Sequence, residues 1–126
     1  MSTRDTSGRP LASVRCALAI ELGANAITVR AFGVQPFQPR FWLSYLSGSK
    51  NLGNGDCATS PRGYGTFELG SESAGSVLCY VDGQTGDALL YWTYDDAALL
   101  VSATNQRGDA AALHDFFERF AKFIRP

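Results

Sequence analysis

The side chains able to do chemistry are few: one histidine, His114, three cysteines, Cys16, Cys57 and Cys79, and the aspartates Asp82, Asp87, Asp95 and Asp96. A Cys79 nucleophile activated by His114 would also need a group to orient the imidazole and donors for an oxyanion, and nothing in the sequence points to either. Three widely spaced cysteines and one histidine reach a four-ligand zinc set only with an acidic ligand added. There is no Cys-x-x-Cys, no HExxH, no P-loop and no GxGxxG after a strand, so the zinc, redox and nucleotide signatures are absent. The aspartates do not follow the alternating ligand spacing of a calcium loop; beside Gly83 and Gly86 they read as turn chemistry. No catalytic residue, metal or cofactor is expected.

Residues 75–124 supply the elements that must carry these groups. Residues 76–82 alternate Val77, Cys79 and Val81 with Leu78, Tyr80 and Asp82, the period of a strand. Residues 82–87 then turn the chain as a hairpin loop, 88–94 return, 95–96 make a tight connection and 98–104 form a third strand. Residues 105–109 end the sheet. From Asp109, a plausible N-cap, to Ile124 the spacing of Leu113, Phe116, Phe117, Phe120 and Ile124 predicts a helix with one buried stripe, and Asp115, Glu118, Arg119 and Lys122 fall opposite. His114 lies about 100 degrees round that helix from Leu113 and reads as a boundary residue.

Residues 1–11 are polar and read as a flexible tail, leaving 12–126 as a single domain. Strands are expected at 12–20 and 26–32, separated by a turn at 21–25. A short helix starts near Pro36 to Pro39 and runs to Ser47, with Phe37, Phe41 and Tyr45 beside Trp42 and Leu46. Residues 48–63 form a long loop pinned by Cys57, a length usually functional or mobile; 64–69 is a strand and 70–75 a link. This order predicts an α+β fold, a mostly antiparallel sheet with helices packed on one face. The helix-facing side would carry Ile27, Val29, Phe67, Val77, Cys79, Val81, Leu90, Trp92, Leu99 and Val101. The other would carry Tyr64, Leu78, Tyr80, Leu89 and Tyr91 with Thr28, Arg30, Thr66 and Ser102. Contiguous aromatics on a face expected to meet water predict a surface that binds a ligand or partner.

The chain has 126 residues, 45% of them hydrophobic, enough for one core. Eleven basic and twelve acidic residues give a net charge of −1 with no long run of either sign, which lacks the footprint of a nucleic-acid binder. No apolar run approaches the ~20 residues of a membrane span, and no charged start precedes an apolar h-region. A chain without a transmembrane segment or signal peptide is expected.

The series Gly75-Ser76-Val77-Leu78-Cys79-Tyr80, Leu90-Tyr91-Trp92-Thr93, Leu99-Leu100 with Ala103, and Ala112-Leu113 with Phe116-Phe117 resembles a small domain of actinobacterial proteins. That domain is often attached outside the membrane to Ser/Thr protein kinases and other membrane-anchored proteins. Cys16 and Gly55-Asp56-Cys57 match its earlier cysteines; Phe116-Phe117 stands where tryptophans are common. The resemblance implies a noncatalytic extracytoplasmic module with no catalytic residues to carry over. In that compartment one disulfide would join two of the three cysteines. Cys16 with Cys57 is the favoured pairing, because Cys79 alternates with Val77 and Val81 and so reads as a small buried hydrophobe. A binding or sensing module acting through protein or small-ligand contacts is the expected function. The alternatives are a small enzyme of unknown class and a structural subunit that self-associates through the tyrosine face.

Overall fold

Runs of β-branched and aromatic side chains at period two give six strands, and two runs at helical period give two helices. The structure, a computed structural model, describes residues 12–32, 38–69, 72–94 and 97–124. The strands are β1 (Ala12–Ala17), β2 (Ala26–Ala31), β3 (Gly63–Leu69), β4 (Glu72–Val81), β5 (Ala88–Tyr94) and β6 (Leu99–Asn105). Helix α1 (Gln38–Ser49) follows β2, and α2 (Ala110–Ile124) closes the chain. The expected tail at 1–11, Phe37 and the connection at Asp95 and Asp96 lie outside the described residues, as does the side chain of Ile124.

The strands form one sheet in the order β1-β2-β6-β5-β4-β3, every neighbouring pair antiparallel. The class is α+β. The first strand is shorter than its apolar run, because Ile20–Leu22 winds into a 3-10 turn ended by Gly23 at a φ of 103°. β4 reaches back beyond the expected start at Ser76, and the ladder shifts register between Phe67 and Glu68. Only glycine fits at position 75: a Cβ there would collide with the Thr93 carbonyl and hydroxyl oxygens.

Alternation along the strands divides the apolar residues into two clusters. Ile27, Val77, Cys79, Leu90, Trp92, Val101 and Ala103 pack with Leu113, Phe116, Phe117 and Ala121 of α2. Phe32, Leu78, Ala98 and Leu100 pack with Leu43 of α1, joined by Trp42, Leu46, Tyr64, Tyr80 and Tyr91. The helices therefore lie on opposite faces, correcting the expectation that they share one. The reason is compositional: both sheet faces are apolar, and the chain leaving β2 must cross the sheet to reach β3 at the far edge, so α1 covers the second face on its way.

The start of α2 is fixed by side chains. Asp109 Oδ1 accepts the Ala112 N–H at 3.0 Å, the N-cap bond. Buried Asn105 accepts from the Arg107 and Asp109 N–H groups and donates to the Gly23 carbonyl at 3.0 Å. Near the other end the Tyr94 hydroxyl donates to the Ala121 carbonyl.

Candidate functional site

Three features could carry function: the tyrosine face of the sheet, the cysteines and the surroundings of His114. Antiparallel register sets Tyr64 opposite Leu78, Leu78 opposite Tyr91 and Tyr80 opposite Leu89, so these five residues share a face. Helix α1 rests on it. Leu78 is fully buried, the Trp42 and Tyr91 rings are 5.8 Å apart, and Tyr80 stacks on Tyr91 with centroids 6.4 Å apart and planes 8° apart. Tyr64, Tyr80, Leu89 and Tyr91 are half-buried, so the broad exposed aromatic face expected of this side is not present. The exposed aromatics are on the outer side of α1 instead, with Phe41 at 68% and Tyr45 at 78% exposure, one turn apart.

The disulfide joins Cys57 to Cys79, with Cα atoms 6.0 Å apart, and Cys16 is free and exposed. This corrects the pairing of Cys16 with Cys57. Cys16 lies on β1, and four inter-strand steps of about 4.8 Å separate that edge from β4. Cys57 sits in the turn just before β3, whose Gly63 is the register partner of Cys79. Burial of Cys79 was read correctly, but a buried thiol and a buried half-cystine leave the same alternation in the sequence.

The bond ties the long loop between α1 and β3 to the sheet, and the loop's backbone completes the attachment. Tyr64 N–H donates to the Gly53 carbonyl and Gly55 N–H to the Tyr64 carbonyl, at 3.1 and 3.2 Å. Gly63 packs so closely on Gly55 that a Cβ at position 63 would lie 2.9 Å from the Gly55 Cα. The loop so fixed forms one wall of a cleft of about 320 Å³, lined by Lys50, Leu52 and Arg62 on one side and by Tyr80, Val81, Asp82, Gly83 and Gln84 on the other. Lys50 Nζ stands over the Tyr80 ring, 5.1 Å from its centroid. Arg62 Nη2 donates to the Lys50 and Asn51 carbonyls at 3.3 and 3.4 Å.

The electrostatics follow from these contacts. Burial, then the neighbouring Tyr91 hydroxyl and the Asp82 charge, push the Tyr80 phenol well above its ordinary range. Asp82 Oδ1 accepts the Gln84 and Thr85 N–H groups at 2.8 and 3.2 Å, which holds its carboxyl below the usual range, with Lys50 adding a smaller pull. Asp82 thus does serve its own turn.

A second cleft, about 280 Å³, lies across the sheet beside α2 and is lined among others by Asp56, Cys57, Glu68, His114 and Glu118. His114 Nε2 is 3.6 Å from Glu118 Oε1, and its ring packs 5.6 Å from that of Phe117. Cys79 is locked in the disulfide and offers His114 no thiol. No group of three or more His, Cys, Asp or Glu side chains able to hold a metal occurs among the described residues. No helix among them is long and apolar enough to cross a membrane.

Of the five residues expected on the binding face, only Tyr80 lines the first cleft, where it meets the turn residue Asp82; Leu78 is core, Tyr64 and Tyr91 pack against it, and Leu89 is half-buried opposite Tyr80. Lys50, Leu52 and Arg62 were missed. Their signal was present, since all three lie in or beside the long loop between α1 and β3, but nothing local shows which strand end such a loop will meet. Comparison with family models, curated proteins and solved structures finds no match to this chain.

Proposed function

We propose that this chain is a noncatalytic binding or sensing module that acts outside the cytoplasm and takes its ligand or partner at the cleft between Lys50, Arg62 and Tyr80. The observation that carries this reading is the anchored wall: the backbone bonds between residues 53–55 and Tyr64, the close packing of Gly63 on Gly55 and the Arg62 bonds to the Lys50 and Asn51 carbonyls hold the glycine-rich loop in place, and the Cys57–Cys79 bond ties it to β4. Holding a loop before the ligand arrives lowers the ordering cost of binding. The disulfide also supports an oxidising compartment, in keeping with the resemblance to extracytoplasmic actinobacterial domains.

A fragment screen on the oxidised full chain, read by backbone amide shifts, tests this. Hits are expected to converge on residues 50–52, 62 and 80–84. Convergence on the cleft beside His114, with loss of binding in His114→Gln, would favour the small-enzyme alternative.

A second reading, self-association, is favoured by one observation, the exposed Phe41 and Tyr45 on the outer side of α1. These take the place of the tyrosine sheet face, which α1 covers. Sedimentation of the wild type against Phe41→Ser with Tyr45→Ser decides it: concentration-dependent association lost in the variant supports a subunit, and a monomer at all concentrations excludes it.

A further inference from the structure

We infer that the cleft takes an oxyanion, the phosphate or carboxylate group of a small ligand, held between the Lys50 ammonium and the Arg62 guanidinium; this rests on the cleft being the binding site. Two cations line one cavity of about 320 Å³. Among the described residues neither forms an ion pair with a carboxylate.

Each cation is fixed by contacts that leave its charge in place. Lys50 Nζ rests on the face of Tyr80 at 5.1 Å, and a ring quadrupole orients an ammonium without neutralising it. Arg62 is held by the Lys50 and Asn51 carbonyls through one nitrogen, Nη2. A guanidinium has five N–H donors in a planar fork, so most of this one remains to meet a planar or tetrahedral oxyanion, the geometry it matches best.

The acidic group at the rim does not cancel them. Asp82 is a single carboxylate against two cations, and its Oδ1 is taken by the Gln84 and Thr85 N–H groups of its own turn. A concave site with an excess of one sign concentrates ligands of the other. Leu52 and Tyr80 supply an apolar wall for the body of the ligand. The volume is near the lower end of the range for small-molecule pockets, roughly 300 to 1,000 Å³, which suits one small anionic molecule. The chain spans a net charge of only −1 with eleven basic residues, so an anion collecting here would do so because of local geometry, not a globally basic surface.

The test is a titration of the oxidised full chain, followed by amide shifts, with inorganic phosphate and separately with acetate. Choline serves as the cationic probe and glycerol as the neutral one. Saturable shifts confined to Lys50, Leu52, Arg62, Gly83 and Gln84 are expected with an anion, and the tighter anion identifies phosphate or carboxylate. Lys50→Met and Arg62→Met are each expected to weaken binding about fivefold or more, roughly one charge-assisted contact, and together to abolish it. Unchanged α2 and β6 amide positions verify the fold of the variants. Shifts that persist in the double variant, or that spread over all basic residues, overturn the inference. Saturation of the same residues by choline or glycerol but not by the anions overturns the oxyanion and leaves the cleft as a binding site; silence with all four probes and with the fragment screen overturns both.

Discussion

Tyr80 is the residue where the cleft and the stability of the chain meet. Its phenol titrates above the ordinary tyrosine value because burial and the Tyr91 hydroxyl disfavour the phenolate. A group whose pKa is raised by folding contributes stability fully below the unfolded value, about 10 for tyrosine, and loses it as pH rises towards the folded one. The melting temperature of the wild type is therefore expected to fall more steeply above about pH 10 than that of Tyr80→Phe. Equal slopes would contradict the assignment. Gly75 gives a sharper contrast. Gly75→Ala is expected to be severely destabilising, since the Thr93 backbone has no room to yield. Gly83→Ala, where a Cβ meets nothing within 4 Å, should leave the denaturant midpoint nearly unchanged. At this scale the strand faces were legible: alternation placed Val77, Cys79, Leu90, Trp92 and Val101 together and Tyr64, Leu78, Tyr80 and Tyr91 together, because side-chain direction in a strand is a local property. Nothing local reports what lies above a face. The buried Trp92 Nε1, with no acceptor among the described residues, is likewise invisible in sequence.

At the scale of elements, α1 changes what the tyrosines do. Its Leu43 is buried and Trp42 and Leu46 half-buried against the sheet, while Phe41 and Tyr45 point outward. The expected consequence is a split between two tyrosines of similar appearance in the sequence. Tyr91→Ala removes packing against Trp42 and should cost about 1 to 3 kcal/mol, whereas Tyr45→Ala should stay within about 0.5 kcal/mol. Comparable losses at both sites by chemical denaturation would contradict the placement of α1. The helix itself was legible from its 3.6-residue period and from Pro39, which falls in the first turn. Its side of the sheet was not, because a sheet with two apolar faces offers either, and only the connection from β2 to the far edge decides between them. The same limit explains the cysteines. Pairing depends on which strand ends are neighbours, and the β3–β4 ladder that brings residue 63 beside residue 79 is a long-range fact.

At the scale of the whole molecule, the order β1-β2-β6-β5-β4-β3 puts the two ends of the sheet under different control. β1, whose residues 13–17 are all exposed, forms one edge, while β3 at the other is covered near its start, where residues 53–55 bond to Tyr64. The functional proposal belongs to the covered end. A cross-link spanning 22 residues restricts the unfolded chain by about 3 kcal/mol, and it also acts locally, tying to β4 the middle of the loop whose two ends carry Lys50 and Arg62. Amide hydrogen exchange of the oxidised wild type against Cys57→Ala with Cys79→Ala measures that role most directly, because exchange reports opening segment by segment. The account predicts faster exchange confined to residues 50–64 and 80–84, with β2, β6 and α2 retaining their protection. Identical exchange across residues 50–64 in both proteins would contradict it, since the cleft would then owe nothing to the bond.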